Sequence, residues 1–392
     1  MPNAVLVDIV RSPMGRGKPG GSLASVHPVE LLAQILRELV VRTGVDPGDI
    51  DDVIVGCVGQ VGEQAATPGR QALLSAGFPT AVPSTTVERR CGSAQQAVDF
   101  AVQGVMAGAY DMVIAAGLES MSHVPIGSHR LGRDPEGPGV HARFPGLVRQ
   151  GVAAELIADK YGLSRTALDE LSAESHARAN RARLAGRFDS QIVPITRPDG
   201  VVVDADETVR PGTTVDALTQ LLPAFASDEM RAAFPSLDWK VTAGNSSQIT
   251  DGAGAALIMS EERAARLNLK PRARLVASSV VGSDPVLMLT GVIPATHKVL
   301  ARAKMSIDGI DQVEVNEAFA PVPLAWLTEF SVDAACLNGL GGAIALGHPL
   351  GASGIRLLAS LLSSLEAGGG RYGLQTMCEA GGMANAMIVE RI

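Results

Sequence analysis

Four residues of the chain carry side chains suited to nucleophilic and proton-transfer chemistry, and each falls at the end of an expected secondary-structure element. Cys91 stands in Arg89-Arg90-Cys91-Gly92-Ser93-Ala94, a turn that opens a helix. Free N–H groups and the positive end of a helix dipole favour a thiolate there. His348 lies in the glycine-rich run Gly341 to Gly351, where backbone is open to a ligand. Asn316 follows a strand in Asn316-Glu317-Ala318-Phe319, and Cys378 closes another in Thr376-Met377-Cys378-Glu379. α/β proteins build their sites at such strand ends. Taken singly, each has an ordinary use: a core cysteine, a satisfied histidine, a helix cap. Four at element ends together are harder to assign to packing.

The elements that must position them alternate between strand and helix. Ala4 to Ile9 reads as a strand, and Pro28 to Thr43 as a helix with Leu31, Leu32, Ile35, Leu36 and Leu39 at helical spacing. Asp52 to Gly56 is a strand, the Cys91 turn leads into a helix running to about Ala107, and Met112 to Ala116 is a buried strand. The character changes over 118–248. That stretch holds a Gly/Pro-rich loop (Gly127 to Gly146), two helices (Ala153 to Tyr161, Arg165 to Ala185) and charged irregular segments around Arg197 to Thr214, the pattern of an insertion.

An internal repeat relates the two ends of the chain. Ile50-Asp51-Asp52-Val53-Ile54-Val55-Gly56 resembles Ile310-Asp311-Gln312-Val313-Glu314-Val315-Asn316. After each comes a Gly/Ser-rich turn into a helix, at Cys91-Gly92-Ser93-Ala94 and at His348 to Gly354, and then an apolar strand, Met112 to Gly117 and Leu374 to Gly382. A duplicated α/β half gives two similar sheets about a pseudo-twofold axis. The two turns then face one another, bringing Cys91 and His348 together.

Composition excludes several classes. A net charge of -8 and 3% aromatic residues argue against nucleic acid as the main ligand, which requires basic surface and stacking faces. The hydrophobic fraction of 46% and mean hydropathy of +0.20 belong to a globular chain. No apolar run is long enough for a membrane span, and the start reads as a strand, so a cytoplasmic protein without membrane association is expected. Cys57, Cys91, Cys336 and Cys378 are far apart and form no C-x-x-C pair, so neither a metal site nor a disulfide framework is expected.

The sequence resembles the thiolase family along nearly its full length. The stretches that carry the resemblance are Arg89 to Ala97, Gly117-Leu118-Glu119-Ser120-Met121-Ser122, Thr242-Ala243-Gly244-Asn245-Ser246-Ser247 with Asp251-Gly252-Ala253, Asn316 to Ala320, Gly341 to Gly351, and Cys378 with Gly381-Gly382. The resemblance implies an α/β fold with a duplicated, five-layered αβαβα core. It also implies an inserted loop domain: 1–117 with 249–270 as the first half, 118–248 as the insertion, 271–392 as the second half. The implied reaction is thiolytic cleavage of 3-ketoacyl-CoA to acetyl-CoA and a shortened acyl-CoA, with coenzyme A as co-substrate, no tightly bound cofactor, and a homodimer or homotetramer as the working form.

Carried over by position, Cys91 looks like the acylated nucleophile, His348 its base and an oxyanion contact, and Cys378 the second acid/base. Asn316 would orient a water in one oxyanion hole, and the N–H groups of Cys91 and Ala380 would form the other. Arg210, Ser247 and Met288 match positions that contact the substrate or coenzyme A.

The sequence also departs from the family. Ala380 stands where glycine is usual, so a positive φ there would strain the second oxyanion hole. Leu340 replaces a common Asn, Leu289 and Val292 replace a usual Gly and Pro near the acyl pocket, and Arg149 and Gln150 replace a His and a Met of acetoacetyl-CoA-making members. Gly62-Glu63-Gln64 and Ser246-Ser247-Gln248 look similar to actinobacterial thiolases that degrade bulky or steroid-derived acyl chains. These features favour a degradative enzyme over an acetoacetyl-CoA-forming one. A ketoacyl synthase would typically carry two histidines where this chain has His348 and Cys378, and a non-enzymatic acyl or sterol carrier would be expected to have lost the catalytic side chains.

Overall fold

The computed structural model describes residues 3–392. In the first half β1 (Ala4–Arg11) is followed by α1 (Pro28–Thr43), β2 (Asp52–Gly56), α2 (Pro68–Ser75), β3 (Ser84–Val87), α3 (Ser93–Met106) and β4 (Met112–Ser120). After an excursion that includes α4 (Gln150–Lys160) and α5 (Arg165–Leu184), the chain returns as β5 (Thr250–Ser260). The second half repeats the plan as β6 (Ala273–Gly282), α6 (Val292–Ala303), β7 (Gln312–Val315), α7 (Pro321–Phe330), α8 (Ser353–Gly368), β8 (Tyr372–Glu379) and β9 (Met383–Arg391).

The strand order is β3-β2-β4-β5-β1 in the first half and β7-β8-β9-β6 in the second, the two joined where Val5 and Leu6 pair with Arg274 and Ala273. In both halves the pairs nearest the outer edge are parallel and those nearest the junction antiparallel. The duplication reaches individual hydrogen bonds. Asp51 Oδ2 accepts from the N–H groups of Asp111 and Met112 at 2.6 and 3.0 Å. Asp311 Oδ2, 260 positions on, accepts from those of Arg371 and Tyr372 at 2.7 and 2.8 Å.

Alternation along the strands sets the layers, because successive side chains point to opposite faces. Val53 and Val55 of β2 pack outward on Leu31, Leu32, Ile35, Leu36 and Leu39 of α1. Ile54 faces the other way, into a layer shared by α3 and α8. On β9, Met387 and Val389 close that middle layer from the far side, while Ile388 packs outward with Val292 and Val299 of α6 and Trp326 of α7. The result is five layers, αβαβα, as expected. α1 has the predicted bounds because a buried leucine stripe, Pro28 at its first turn and Gly44 with φ 68° at its end all agree.

Boundaries differ where pairing overrides local pattern. β1 runs on to Arg11, and β4 continues past Ala116 because its register with β5 extends to Ser120↔Asp251. The strand expected over Leu374 to Gly382 stops at Glu379, since Gly381 and Gly382 have φ of 89° and 74°. The loop Gly127 to Gly146 contains a short helix, Gly137–Arg143. Among the described residues no helix is long and apolar enough to cross a membrane.

Candidate active site

α3 and α8 lie side by side in the middle layer, and their first turns touch. A Cβ on Gly354 would stand 3.0 Å from Ala94 C and Gln95 Cα, so only glycine permits this approach. Gln375 of β8 bridges the contact, donating to Gln95 Oε1 at 2.9 Å and to Gly354 O at 3.0 Å. The turns bearing Cys91 and His348 thus meet across the pseudo-twofold axis, as the repeat predicts.

Cys91 precedes α3 by two residues, with Gly92 as the cap. Its turn is tied by Ser93, whose Oγ accepts from Arg89 N at 2.8 Å and donates to Arg90 O at 2.6 Å, and Arg90 holds a φ of 48°. The expectation of a helix-stabilised thiolate is not met. Burial pushes the Cys91 thiol well above its ordinary value, and nearby Cys378 and Glu379 push it further. Its own N–H offsets part of this. Desolvation outweighs the helix terminus, so the resting group is a thiol.

His348 is held at both ends of its peptide and ring. Its N–H donates to Gln248 O at 3.1 Å and Thr250 Oγ1 at 3.0 Å. Ser353 Oγ lies 2.6 Å from Nδ1 and donates to Pro349 O at 2.8 Å. With its proton committed to Pro349, Ser353 accepts from Nδ1–H, which assigns the free lone pair to Nε2. Burial, aided by the Arg356 guanidinium, lowers the imidazole to about 3, so His348 is neutral across the working range.

Asn316 joins the remaining groups. Its Nδ2 is 3.4 Å from His348 Nε2, its side chain faces Cys378 and lowers that thiol, and its Oδ1 has no hydrogen-bond partner among the described residues. The Cys378 thiol is pushed up to about 12, mainly by burial and then by Glu379. Ala380 is not among the residues with positive φ, which fall instead at Gly381 and Gly382, so its side chain introduces no backbone strain.

Of the other candidates, Ser247 is anchored through its N–H to Ala318 O at 3.0 Å, and exposed Arg210 reaches Gln248 Oε1 at 3.2 Å. Gln248 in turn donates to Thr208 O, Ile344 O and Ala345 O, linking that surface to the His348 run. Met288 is buried with φ 51°, and Leu289 and Val292 are at most 2% exposed within the outer core of the second half. Arg149 is exposed at the start of α4.

Sequence reading gave no role to three groups. Ser353 fixes the histidine tautomer. Glu119, fully enclosed, accepts from Val58 N, Gly59 N, Gly351 N and Gln64 Nε2 at 2.9–3.0 Å, fastening the turn after His348 to the first half. Glu379 sits beneath Cys91. The 260-residue repeat was the available signal, since it maps Glu119 onto Glu379.

Comparison with known proteins agrees with this architecture. The family description "Thiolase, N-terminal domain" matches residues 4–262 and "Thiolase, C-terminal domain" residues 269–391. A steroid 3-ketoacyl-CoA thiolase of Mycobacterium tuberculosis is 43% identical, covering 100% of this chain and 95% of that protein. A 3-ketoacyl-CoA thiolase of Photobacterium profundum is 41% identical, covering 100% of both. The crystal structure of the Bacillus anthracis acetyl-CoA acetyltransferase superposes with a TM-score of 0.89 at 37% identity, over 100% of this chain and 99% of that one. The chain belongs to the thiolase family, and is an acyltransferase.

Proposed function

We propose that this thiolase cleaves 3-ketoacyl-CoA with free coenzyme A, in the degradation of fatty-acid or steroid-derived acyl chains. The observation that carries the reading is the convergence of two thiols, Cys91 and Cys378, from the two halves of the fold beside a neutral imidazole. The names of the relatives support the substrate class.

Cys91 gives its proton to His348 Nε2 and its sulfur attacks the 3-keto carbon. The bond between the 2- and 3-carbons breaks, and its electron pair passes to the departing acetyl-CoA enolate. The protonated ring and a water oriented by Asn316 hold the enolate oxygen. Cys378, which keeps its proton because its thiol sits near 12, protonates the enolate carbon. The Cys378 thiolate then takes the proton of the incoming coenzyme A, whose sulfur attacks the acyl-Cys91 carbonyl. The N–H groups of Cys91 and Ala380 receive that oxyanion, and collapse releases the shortened acyl-CoA and the Cys91 thiolate, which takes its proton back from the His348 imidazolium.

Arg210, Ser247 and Met288 serve as contacts for coenzyme A and the substrate. The first two belong to 118–248, assigned as the loop domain. The working form is a cytoplasmic homodimer or homotetramer with no resident cofactor. The test is a turnover profile over 3-ketoacyl-CoA substrates of increasing size with free coenzyme A. Acetyl-CoA and a shortened acyl-CoA in equal amounts are expected; no product with any substrate would refute the assignment.

A further inference from the structure

Glu119 and Glu379 are related by the 260-residue repeat, and each reaches from the end of its strand, β4 or β8, to the helix-opening turn of the opposite half. Under the His348 turn, Glu119 is satisfied by four donors. Under the Cys91 turn the arrangement is different. A Cβ on Gly92 would collide with Glu379 Oε1, so the carboxyl lies directly against the turn. Neither oxygen of Glu379 has a hydrogen-bond partner among the described residues. Asn385 of β9 takes over the structural task, donating from Nδ2 to Gly92 O at 3.1 Å.

We infer that Glu379 is a positioning residue that gates the charge of the nucleophile: its neutral form permits the Cys91 thiolate, and its ionised form suppresses it. This rests on the acyl-Cys91 reading above. A carboxylate against the Cys91 turn opposes a second negative charge on the sulfur, whereas a neutral acid does not.

The groups facing Glu379 favour a retained proton. Asp99, 1% exposed on α3 and facing Ser278, adds a second carboxyl. Against this, Arg89, in the loop before Cys91, lowers both Glu379 and Asp99, and Arg302 of α6 lowers Asp99, but burial outweighs them. Cys91 and Cys378 complete the surroundings. Burial raises Glu379 and Asp99 to about 8 each, and the Asp99 carboxyl adds to the rise of Glu379. Below about pH 8 both are mostly neutral; above it charge accumulates beside the thiol.

The test compares wild type with E379Q, whose amide copies the neutral acid, through the rate of Cys91 alkylation by iodoacetamide and of thiolysis between pH 6.5 and 9.5. One unit of thiol shift is tenfold in thiolate. The ratio of E379Q to wild-type alkylation rate should therefore rise on the order of tenfold across pH 8, and the thiolysis ratio should rise with it. A ratio flat with pH overturns the inference. A purely structural role would lower both rates by a constant factor. Should E379Q fail to fold, D99N tests the same point: loss of the neighbouring carboxyl moves the wild-type inflection to lower pH, and an unmoved inflection contradicts the proposal. Absence of thiolysis in the wild type with intact alkylation would instead reject the assigned reaction and leave the gating result readable.

Discussion

Ser353→Ala isolates the tautomer argument. The hydroxyl is fully buried and makes two contacts, accepting from His348 Nδ1–H at 2.6 Å and donating to Pro349 O at 2.8 Å. Without it, the buried Nδ1–H loses its acceptor, at a cost of about 1–3 kcal/mol. The ring escapes that cost by moving its proton to Nε2, which removes the lone pair that takes the Cys91 proton. Where the ring keeps its tautomer, the imidazolium formed during attack loses an acceptor. Both routes act on the transition state, so kcat should fall about 10- to 100-fold, at 1.4 kcal/mol per tenfold, with KM for coenzyme A changed by less than about twofold. The assay is steady-state thiolysis with coenzyme A varied, alongside thermal unfolding to establish that the fold persists. A folded variant with wild-type kcat, or one whose loss lies entirely in KM, would refute the reasoning.

Other expected outcomes follow from the same geometry. His348→Asn should reduce kcat far more than it weakens coenzyme A binding, as measured by kinetics and calorimetry, because base and oxyanion contacts act mainly in the transition state. Arg210→Ala should raise KM for coenzyme A about two- to fivefold with little effect on kcat, the size of one exposed cation's contribution to binding an anionic ligand. His348 sits at about 3 in the fold against 6.5 unfolded, so the unfolded chain binds more protons between those values and stability should fall as pH drops below 6.5. Denaturant titrations at pH 7 and 4.5 should show a smaller drop for His348→Asn than for wild type. For substrate size, kcat/KM should be higher for a long or bulky 3-ketoacyl-CoA than for the four-carbon compound, and a clear advantage for the latter would return the chain to the acetoacetyl-CoA-forming type.

Much of the fold was legible because local and repeated signals coincide. The leucine spacing and caps of α1, and the shared Ile-Asp motif before β2 and β7, led to two halves with their helix-opening turns face to face. The meeting of the Cys91 and His348 turns followed from that symmetry, while Asn316 and Cys378 were picked out by their place at strand ends. The direction of the Cys91 shift did not, because it depends on enclosure by Cys378 and Glu379, nearly three hundred residues away. Leu289 and Val292, placed near the acyl pocket by resemblance, pack with α4 and β9 in the outer core of the second half. Single polar residues such as buried Gln64 and half-buried Gln248 have no periodicity to announce them, though each carries several hydrogen bonds of the site. Ala380 looked like a source of strain only until its backbone was seen to need no positive φ.

The central claim, that Cys91 is the group acylated during turnover, is tested most directly by brief exposure to a 3-ketoacyl-CoA, acid quench and peptide mass spectrometry. The account predicts an acyl thioester on the peptide containing Cys91, absent in Cys91→Ala and discharged by added coenzyme A. An adduct on Cys378, Cys57 or Cys336, or wild-type turnover by Cys91→Ala, would contradict it.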